Sequence, residues 1–136
     1  MYLYLVLLIP FVTILDAFLE VPFEFRKGWE GVAETFRSEC ICEMGVSSAL
    51  AIDFFLRGEY SVDLCIYCYI KCIHLKMNLM SASTSEFIEY EFVRQIAGTT
   101  PSMISKCNNG TVGVKDPCLK SYYMYACIVT SLLVSV

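Results

Sequence analysis

Residues 65–73 read Cys-Ile-Tyr-Cys-Tyr-Ile-Lys-Cys-Ile and hold three of the eight cysteines in a chain of 136 residues. At about 100° per residue, a helix over this segment places five side chains within an arc of about 80°: Cys65, Cys68, Cys72, Leu75 and Leu79. Ser61 and Asp63 just before the segment are typical of a helix start. The segment therefore predicts a central helix whose cysteines lie along its apolar stripe.

Three closely spaced cysteines also raise the alternative of a zinc site or an iron–sulfur cluster. Such sites need four ligands that converge from short, turn-like segments. Here the cysteines follow a helical stripe, and the only histidine, His74, lies off it. We therefore expect no metal and no cofactor. An even number of cysteines in a short chain is more typical of a disulfide framework in an exported domain.

Helical periodicity and helix-capping residues extend on both sides of the central segment, with almost no strand alternation. Upstream, the pattern predicts a helix over 29–43 that ends at Gly45, and a second over 49–56 that Gly58 closes. Downstream, it predicts helices over 86–97, 101–107 and 117–129, the last two opened by proline. The sequence thus predicts a compact all-α domain of about six helices.

The composition and length of the chain exclude several classes of protein. Apolar residues make up 57% of the chain and charged residues only 18%, which excludes intrinsic disorder. The net charge of −4 and the scattered basic residues argue against binding to nucleic acid. The length allows one domain. Mean hydropathy is +0.58, so part of the chain is expected to face lipid, be cleaved or line a cavity.

Residues 1–19 form an apolar run that contains a single charge, Asp16. We interpret the run as a secretory signal peptide, cleaved after Ala17 or a few residues later, that precedes a domain over 20–136. The alternative is an uncleaved membrane anchor, because no basic residue precedes the run and about 19 residues could just span a bilayer. Pro10 and the cysteine count favour export. We therefore expect a secreted, extracellular protein with no membrane contact after signal removal.

The opposite end is also apolar, since the nine residues after Cys127 carry no charge. They are too few to cross a membrane. An uncharged tail of this kind is expected to be buried against its own domain.

Nothing in the sequence rises above background as an enzyme site. A catalytic centre needs a nucleophile, an acid–base pair or a metal. The chain has one histidine and lacks both Gly-x-Ser-x-Gly and His-Glu-x-x-His. No carboxylate directly follows His74, as the motif of secreted phospholipases would require. We therefore expect a binding protein and not an enzyme.

The spacing of six of the cysteines is a more specific indicator of protein family than the composition. Cys40 and Cys68 are separated by 27 residues, and the later gaps contain 3, 34, 10 and 8 residues. Four local stretches accompany this spacing: Glu39–Ser47, Gly58–Ser61, Cys68–Ile73 and Asp116–Tyr122. Together they resemble the six-cysteine signature of insect odorant-binding proteins, the pheromone and general odorant carriers. The resemblance covers roughly residues 26–130.

The resemblance implies an interlocked disulfide pattern, Cys40–Cys72, Cys68–Cys118 and Cys107–Cys127. Crosslinks of this kind would let a small helical bundle enclose an apolar cavity. Cys42 and Cys65 are additional to the family pattern. Either they form a fourth bridge or they remain free thiols. Residues 40 and 42 point about 200° apart on a helix, so the bridge would need the first helix to unwind near Gly45.

The resemblance also implies a function, that of a secreted carrier of small hydrophobic ligands such as odorants or pheromones. The cavity would be lined from the third to the sixth helices and the tail. The candidate ligand-binding residues are His74, Leu79, Met80, Phe92, Ile104, Met124 and Ile128.

His74 is the most specific candidate. Its imidazole could hydrogen-bond the polar end of an alcohol, aldehyde or ester, and could titrate near neutral pH; the alternative is an exposed helix histidine. Met80, Met103 and Met124 either give the cavity an adaptable wall or fill gaps in the core. A further hypothesis places the uncharged tail, 128–136, over or inside the cavity.

Other possibilities remain open from the sequence. A chemosensory receptor is a possible partner, and so is a second copy in a homodimer. The alternative function is a secreted interaction protein of the venom or saliva type, which sequesters a mediator or engages a receptor, since fold does not fix function. A degenerate copy with a filled core is a third possibility. Asn109 begins a glycosylation sequon in a predicted surface loop.

Overall fold

The computed structural model describes residues 19–44 and 47–135, with the side chains of 42–44 left out. These residues form seven helices: α1 (Phe23–Met44), α2 (Ser48–Ala51), α3 (Phe54–Arg57), α4 (Leu64–Lys76), α5 (Glu89–Gln95), α6 (Pro101–Asn109) and α7 (Pro117–Ser131). Two short strands, β1 (Leu19–Glu20) and β2 (Val134–Ser135), complete the described chain. The all-α prediction is confirmed. Residues 1–18 lie outside the described residues, so the signal peptide stays a prediction.

The predicted second helix is divided into α2 and α3. Ile52 is extended, and Asp53 adopts a left-handed conformation with φ of 56°. Aspartate is one of the few residues that visit this region, because its short side chain can bond to nearby backbone. The guanidinium of Arg57 donates to the carbonyl oxygens of Ile52 at 2.6 Å and Leu50 at 3.1 Å. These bonds stabilise the break between α2 and α3. Because of this break the described chain has seven helices and not the predicted six or so.

The central helix α4 starts where it was predicted, since the Asp63 carboxylate accepts a hydrogen bond from the Cys65 amide at 2.8 Å. Its end differs from the prediction, which carried the helical stripe to Leu79. Asn78 is left-handed, with φ of 60°. The Leu79 amide donates to the His74 carbonyl at 2.8 Å, and the Asn78 amide donates to the Leu75 carbonyl at 3.1 Å. This pair of bonds is a Schellman motif, which ends the helix.

The helix predicted over 86–97 is shorter, because α5 begins only at Glu89. Met80 and Phe87 form an isolated antiparallel bridge instead. The Ile88 amide donates to the Leu79 carbonyl at 2.8 Å, which commits the backbone of this segment to an extended form. The chain therefore turns back on itself between α4 and α5.

Three disulfide bonds connect the helices around α4. Cys40–Cys72 joins α1 to α4, Cys68–Cys118 joins α4 to α7, and Cys107–Cys127 joins α6 to α7. These are the pairs that the family resemblance implies. In the chain-entropy model each closure is worth roughly 3–4 kcal/mol. Helix α4 also packs directly against α7 and α1, so it is held both by contact and by covalent bonds.

Cys65 is a free, exposed cysteine, so the suggested fourth bridge from Cys42 to Cys65 is not formed. That bridge required the first helix to unwind early, whereas α1 remains helical through Met44. The side chain of Cys42 lies outside the described residues.

The last described residues pair with the first described ones. Leu19 lies opposite Ser135, and Glu20 lies opposite Val134, in a two-stranded antiparallel pair. Val134 is 46% exposed, so the prediction of a buried tail is wrong for this residue. Pairing with β1 also directs 134–135 away from the interior. Within the described residues, no helix combines the length and the apolar character needed to cross a membrane.

Candidate ligand-binding site

A small apolar cavity lies between α1, α3, α4, α5 and α7. Its wall consists of Trp29, Val32, Ala33, Phe55, Ile73, His74, Met77, Leu79, Phe92, Ile96, Tyr125 and Ile128. The volume open to the centre of a water-sized sphere is about 40 Å³, which is room for a few water molecules. The wall is almost wholly carbon, and an apolar void of this kind favours an apolar occupant.

Four of the seven residues predicted from the sequence line this cavity: His74, Leu79, Phe92 and Ile128. Met80, Ile104 and Met124 are fully buried but belong to the surrounding core. Met80 is displaced from the wall because it takes part in the bridge to Phe87. The methionine that does line the cavity is Met77, at the C-terminal cap of α4.

His74 is the one strongly polar side chain in the wall. It is 6% exposed, so the alternative of an exposed helix histidine is wrong. Phe87 and Phe92 meet its ring edge-on, with centroids at 5.8 Å and 5.3 Å. Its Nδ1 atom is buried and has no hydrogen-bond partner.

The charge state of His74 also differs from the prediction. Burial lowers the pKa of His74 from 6.5 to about 3, because a charged imidazole would lose its hydration among carbon atoms. This lowered pKa argues against titration of His74 near neutral pH. The cavity contains a neutral imidazole that can donate or accept one hydrogen bond through each nitrogen.

The contribution of α1 to the cavity was not expected from the sequence. Trp29, Val32 and Ala33 form one side of the cavity, whereas the resemblance placed the site on later helices only. The indole Nε1 of Trp29 donates to the Ala97 carbonyl at 2.8 Å, which fixes the ring against the turn after α5. Val32, Phe36 and Cys40 recur at helical spacing in the sequence, and this pattern was the available signal for a buried face on α1.

Two aromatic wall residues were also missed. Phe55 and Tyr125 meet edge-on at 5.7 Å, and the Tyr125 hydroxyl donates to the Glu59 carbonyl at 2.8 Å. Burial raises the pKa of Tyr125, so this hydroxyl stays protonated. Short segments such as α3 carry too few residues to show which face they bury.

A sequence model of the PBP/GOBP family matches residues 27–131. The chain belongs to this family.

Members of the PBP/GOBP family are small pheromone-binding and general odorant-binding proteins of insects, which are secreted carriers and not enzymes. The matched residues include all six bridged cysteines and every residue of the cavity wall. No curated protein and no solved structure gives a match.

A second polar cluster lies near the cavity of this PBP/GOBP protein. Arg37 forms an ion pair with Glu30, and both residues lie on one face of α1. Tyr69 of α4 is fully buried beside Arg37. Burial raises the pKa of Tyr69, and the adjacent guanidinium opposes that shift. Neither the Tyr69 hydroxyl nor the Arg37 Nε has a hydrogen-bond partner.

A wider surface cleft, about 420 Å³, lies between β1, α3 and the end of α7. Its two arginines are already engaged. Arg26 donates to the carbonyls of Val21 at 2.9 Å and Leu56 at 2.6 Å, and Arg57 holds the turn after α2. The arginines of this cleft are used to hold backbone segments together and are not free to bind a ligand. The apolar cavity is therefore the better candidate site.

Two remaining predictions concern other kinds of site. Among the described residues, no group of three or more His, Cys, Asp or Glu side chains is placed to hold a metal ion. Asn109 is the exposed last residue of α6, and the hydroxyl of Thr111 in the same sequon donates to the Asn108 carbonyl at 2.8 Å.

Proposed function

We propose that this protein is an extracellular carrier that binds one small hydrophobic molecule, of the odorant or pheromone kind, in the cavity between α1, α3, α4, α5 and α7. The observation that supports it best is a wall of aromatic and aliphatic side chains with a single unpartnered polar atom, the Nδ1 of His74. Ligand sites of this composition use apolar area for affinity and a few polar groups for orientation.

The small volume of the cavity sets a condition on binding. An odorant-sized molecule needs more than the present 40 Å³, so side chains must move outward when it enters. Disulfides restrain α1, α4 and α7, whereas Met77 has a flexible thioether chain that adapts to new shapes. We infer that the cavity enlarges through side-chain rearrangement at Met77 and Phe55 while the helices stay in place.

The expected affinity is moderate. Removing about 250 Å² of apolar ligand surface from water is worth on the order of 6 kcal/mol before the costs of association are subtracted. A free energy of this size corresponds to a dissociation constant of about 40 μM before those costs, so weak to moderate binding is expected. Affinity of this order suits a carrier, which must release its ligand as well as hold it.

His74 gives the proposed site its polar contact. The neutral imidazole is oriented by Phe87 and Phe92, and its Nδ1 can pair with an alcohol, aldehyde or ester group of the ligand. A partner for this nitrogen removes the cost of leaving a buried polar atom unpaired. We therefore expect ligands that carry one polar group to bind better than pure hydrocarbons.

Displacement of a fluorescent apolar dye, N-phenylnaphthylamine, tests the carrier function. The wild type should bind the dye and release it to medium-chain alcohols. Ala33→Val adds two carbons to the wall of the cavity and should weaken binding at least tenfold. Ala82 lies in an exposed loop, so Ala82→Val is the matched control and should bind normally. Equal binding by both variants would place the ligand elsewhere.

One feature favours the alternative function, a secreted protein that sequesters a mediator or engages a receptor. Val62 is 94% exposed and Leu64 is 73% exposed, next to the free thiol of Cys65. Exposed apolar groups of this kind are common where proteins meet. A wild type that binds no dye at all, yet is folded, would favour this alternative.

A further inference from the structure

The carrier function proposed above leaves one buried polar cluster unexplained. The Tyr69 hydroxyl and the Arg37 Nε–H are both buried and both lack a hydrogen-bond partner. Buried polar groups are nearly always paired, because an unpaired one loses its hydration without compensation. Two such groups on facing helices, α1 and α4, therefore call for an explanation beyond packing.

The position of the cluster connects it to the cavity. Ala33 and Ile73 line the cavity. Arg37 lies four residues beyond Ala33 on α1, and Tyr69 lies four residues before Ile73 on α4, so each is about 6 Å along its helix from a wall residue. Phe55 is next to both regions, since it lines the cavity and its ring lies 6.2 Å from that of Tyr69. Movement of Phe55 would extend the cavity toward the cluster.

The unpaired atoms define the chemistry that fits them. The Nε–H of Arg37 can only donate a hydrogen bond. The Tyr69 hydroxyl lies beside the positive guanidinium, which favours directing its hydrogen away from Arg37. Both groups therefore offer donors, and their common partner is an acceptor oxygen.

The charges of the cluster indicate whether the acceptor oxygen is neutral or charged. Glu30 already forms an ion pair with Arg37, so the cluster is neutral before anything binds. A carboxylate would bring a third, uncompensated charge into a buried region, which costs more free energy than the new hydrogen bonds return. A neutral carbonyl oxygen has no such penalty.

We propose that Tyr69 and Arg37 form a subsite for the neutral carbonyl oxygen of a ketone, aldehyde or ester whose apolar chain occupies the cavity. The subsite rests on the proposed carrier function. It is separate from His74, which is five residues later on α4 and about 140° around the helix from Tyr69.

The test compares three ligands of equal chain length: an alkane, a methyl ketone and a fatty carboxylate, each displacing N-phenylnaphthylamine. The wild type should prefer the ketone to the alkane by at least about three- to tenfold, because either of the two added hydrogen bonds alone predicts a factor of that size. It should bind the carboxylate no better than the alkane. Tyr69→Phe should bind the alkane normally and lose most of the preference for the ketone, leaving only the part that His74 contributes. Tyr90 is exposed on α5, so Tyr90→Phe is the matched control and should keep the preference.

A second measurement separates a direct contact from a change in packing. The infrared carbonyl band of an isotopically labelled ketone should lie at lower frequency in the wild type than in Tyr69→Phe, because hydrogen bonding weakens the C=O bond. Arg37→Lys keeps the positive charge for Glu30 but removes the Nε–H donor, and should shift the band partway. Near-ultraviolet circular dichroism shows whether each variant keeps its fold.

The outcomes are distinguishable from those of the carrier test. If neither the dye nor the alkane binds the wild type, the carrier function is overturned. The subsite is overturned, while the carrier function stands, if the wild type binds the alkane and the ketone equally well. The same holds if Tyr69→Phe keeps the wild-type preference for the ketone and the wild-type infrared band. In that case the two donors are satisfied by water.

Discussion

The indole Nε1 of Trp29 donates a hydrogen bond of 2.8 Å to the carbonyl oxygen of Ala97, a residue 68 positions later in the chain. The contact joins α1 to the turn after α5, and the cavity lies between them. Gly28 permits this close approach, since a Cβ atom there would lie 3.2 Å from the Cβ of Ala97. One side of the candidate site is therefore anchored by this long-range bond.

Replacing Trp29 with phenylalanine should lower the free energy of unfolding by about 2–4 kcal/mol, because the change leaves the Ala97 carbonyl unpaired and enlarges a buried void. Urea unfolding followed by circular dichroism measures the loss. A loss below about 0.5 kcal/mol would show that the bond to Ala97 contributes little.

His74 should make the protein less stable as the pH falls. Its pKa is about 3 in the folded protein and 6.5 in the unfolded chain. Below pH 6.5 the unfolded state takes up a proton that the folded state does not, so stability falls by up to about 1.4 kcal/mol per pH unit until about pH 3. Phenylalanine at this position has no proton to bind. Relative to the wild type, His74→Phe should gain about 3 kcal/mol between pH 7 and pH 4 in urea unfolding, and parallel curves for the two proteins would contradict the buried, neutral histidine.

The Cys68–Cys118 bond spans 50 residues, so removing it should have a large effect. The double variant Cys68→Ala, Cys118→Ala should lose about 4 kcal/mol of unfolding free energy. Cys65→Ser is the control, since Cys65 is exposed and free, and its stability should stay within about 0.5 kcal/mol of wild type. Thiol titration of denatured, unreduced Cys65→Ser should give one group fewer than wild type, and an unchanged count would mean that Cys65 is bridged.

Two glycines should respond to alanine in opposite directions. Gly98 has φ of +89°, and a Cβ atom there would lie 2.7 Å from the Phe25 ring, so Gly98→Ala should destabilise the fold by more than about 1 kcal/mol. Gly31 lies inside α1 with open space around it, and Gly31→Ala should stabilise the fold by about 0.5–1 kcal/mol. Thermal unfolding of both variants checks the pair, and shifts in the same direction would contradict this difference in environment.

The helical class and the helix starts at Asp63, Pro101 and Asp116 could be predicted from the sequence because capping residues act locally. The disulfide pairs could be anticipated only from the family resemblance, since spacing alone leaves many connectivities open. The beginning of α1 at Phe23 was missed because Gly28 and Gly31 lower local helix propensity, and packing of Trp29 outweighs them.

Only part of the wall of the candidate site was predicted from the sequence. His74 and Leu79 were chosen correctly as wall residues, although Leu79 reaches the wall through the turn at Asn78 and not through a longer helix. Met80 and Ile104 were placed in the wall because composition alone does not distinguish a cavity surface from the core behind it. The unpaired donors of Tyr69 and Arg37 could not be foreseen, because an absent hydrogen bond leaves no trace in a sequence.

The pairing of Leu19 with Ser135 has a consequence for engineering. Because these two residues are neighbours in space, a short linker could close the described chain into a ring. The ring could then be reopened at Gly113, where the backbone is exposed and no neighbour crowds the position. Such a circular permutant would present its new ends at Gly113, far along the sequence from Leu19 and Ser135, while every disulfide kept its partner.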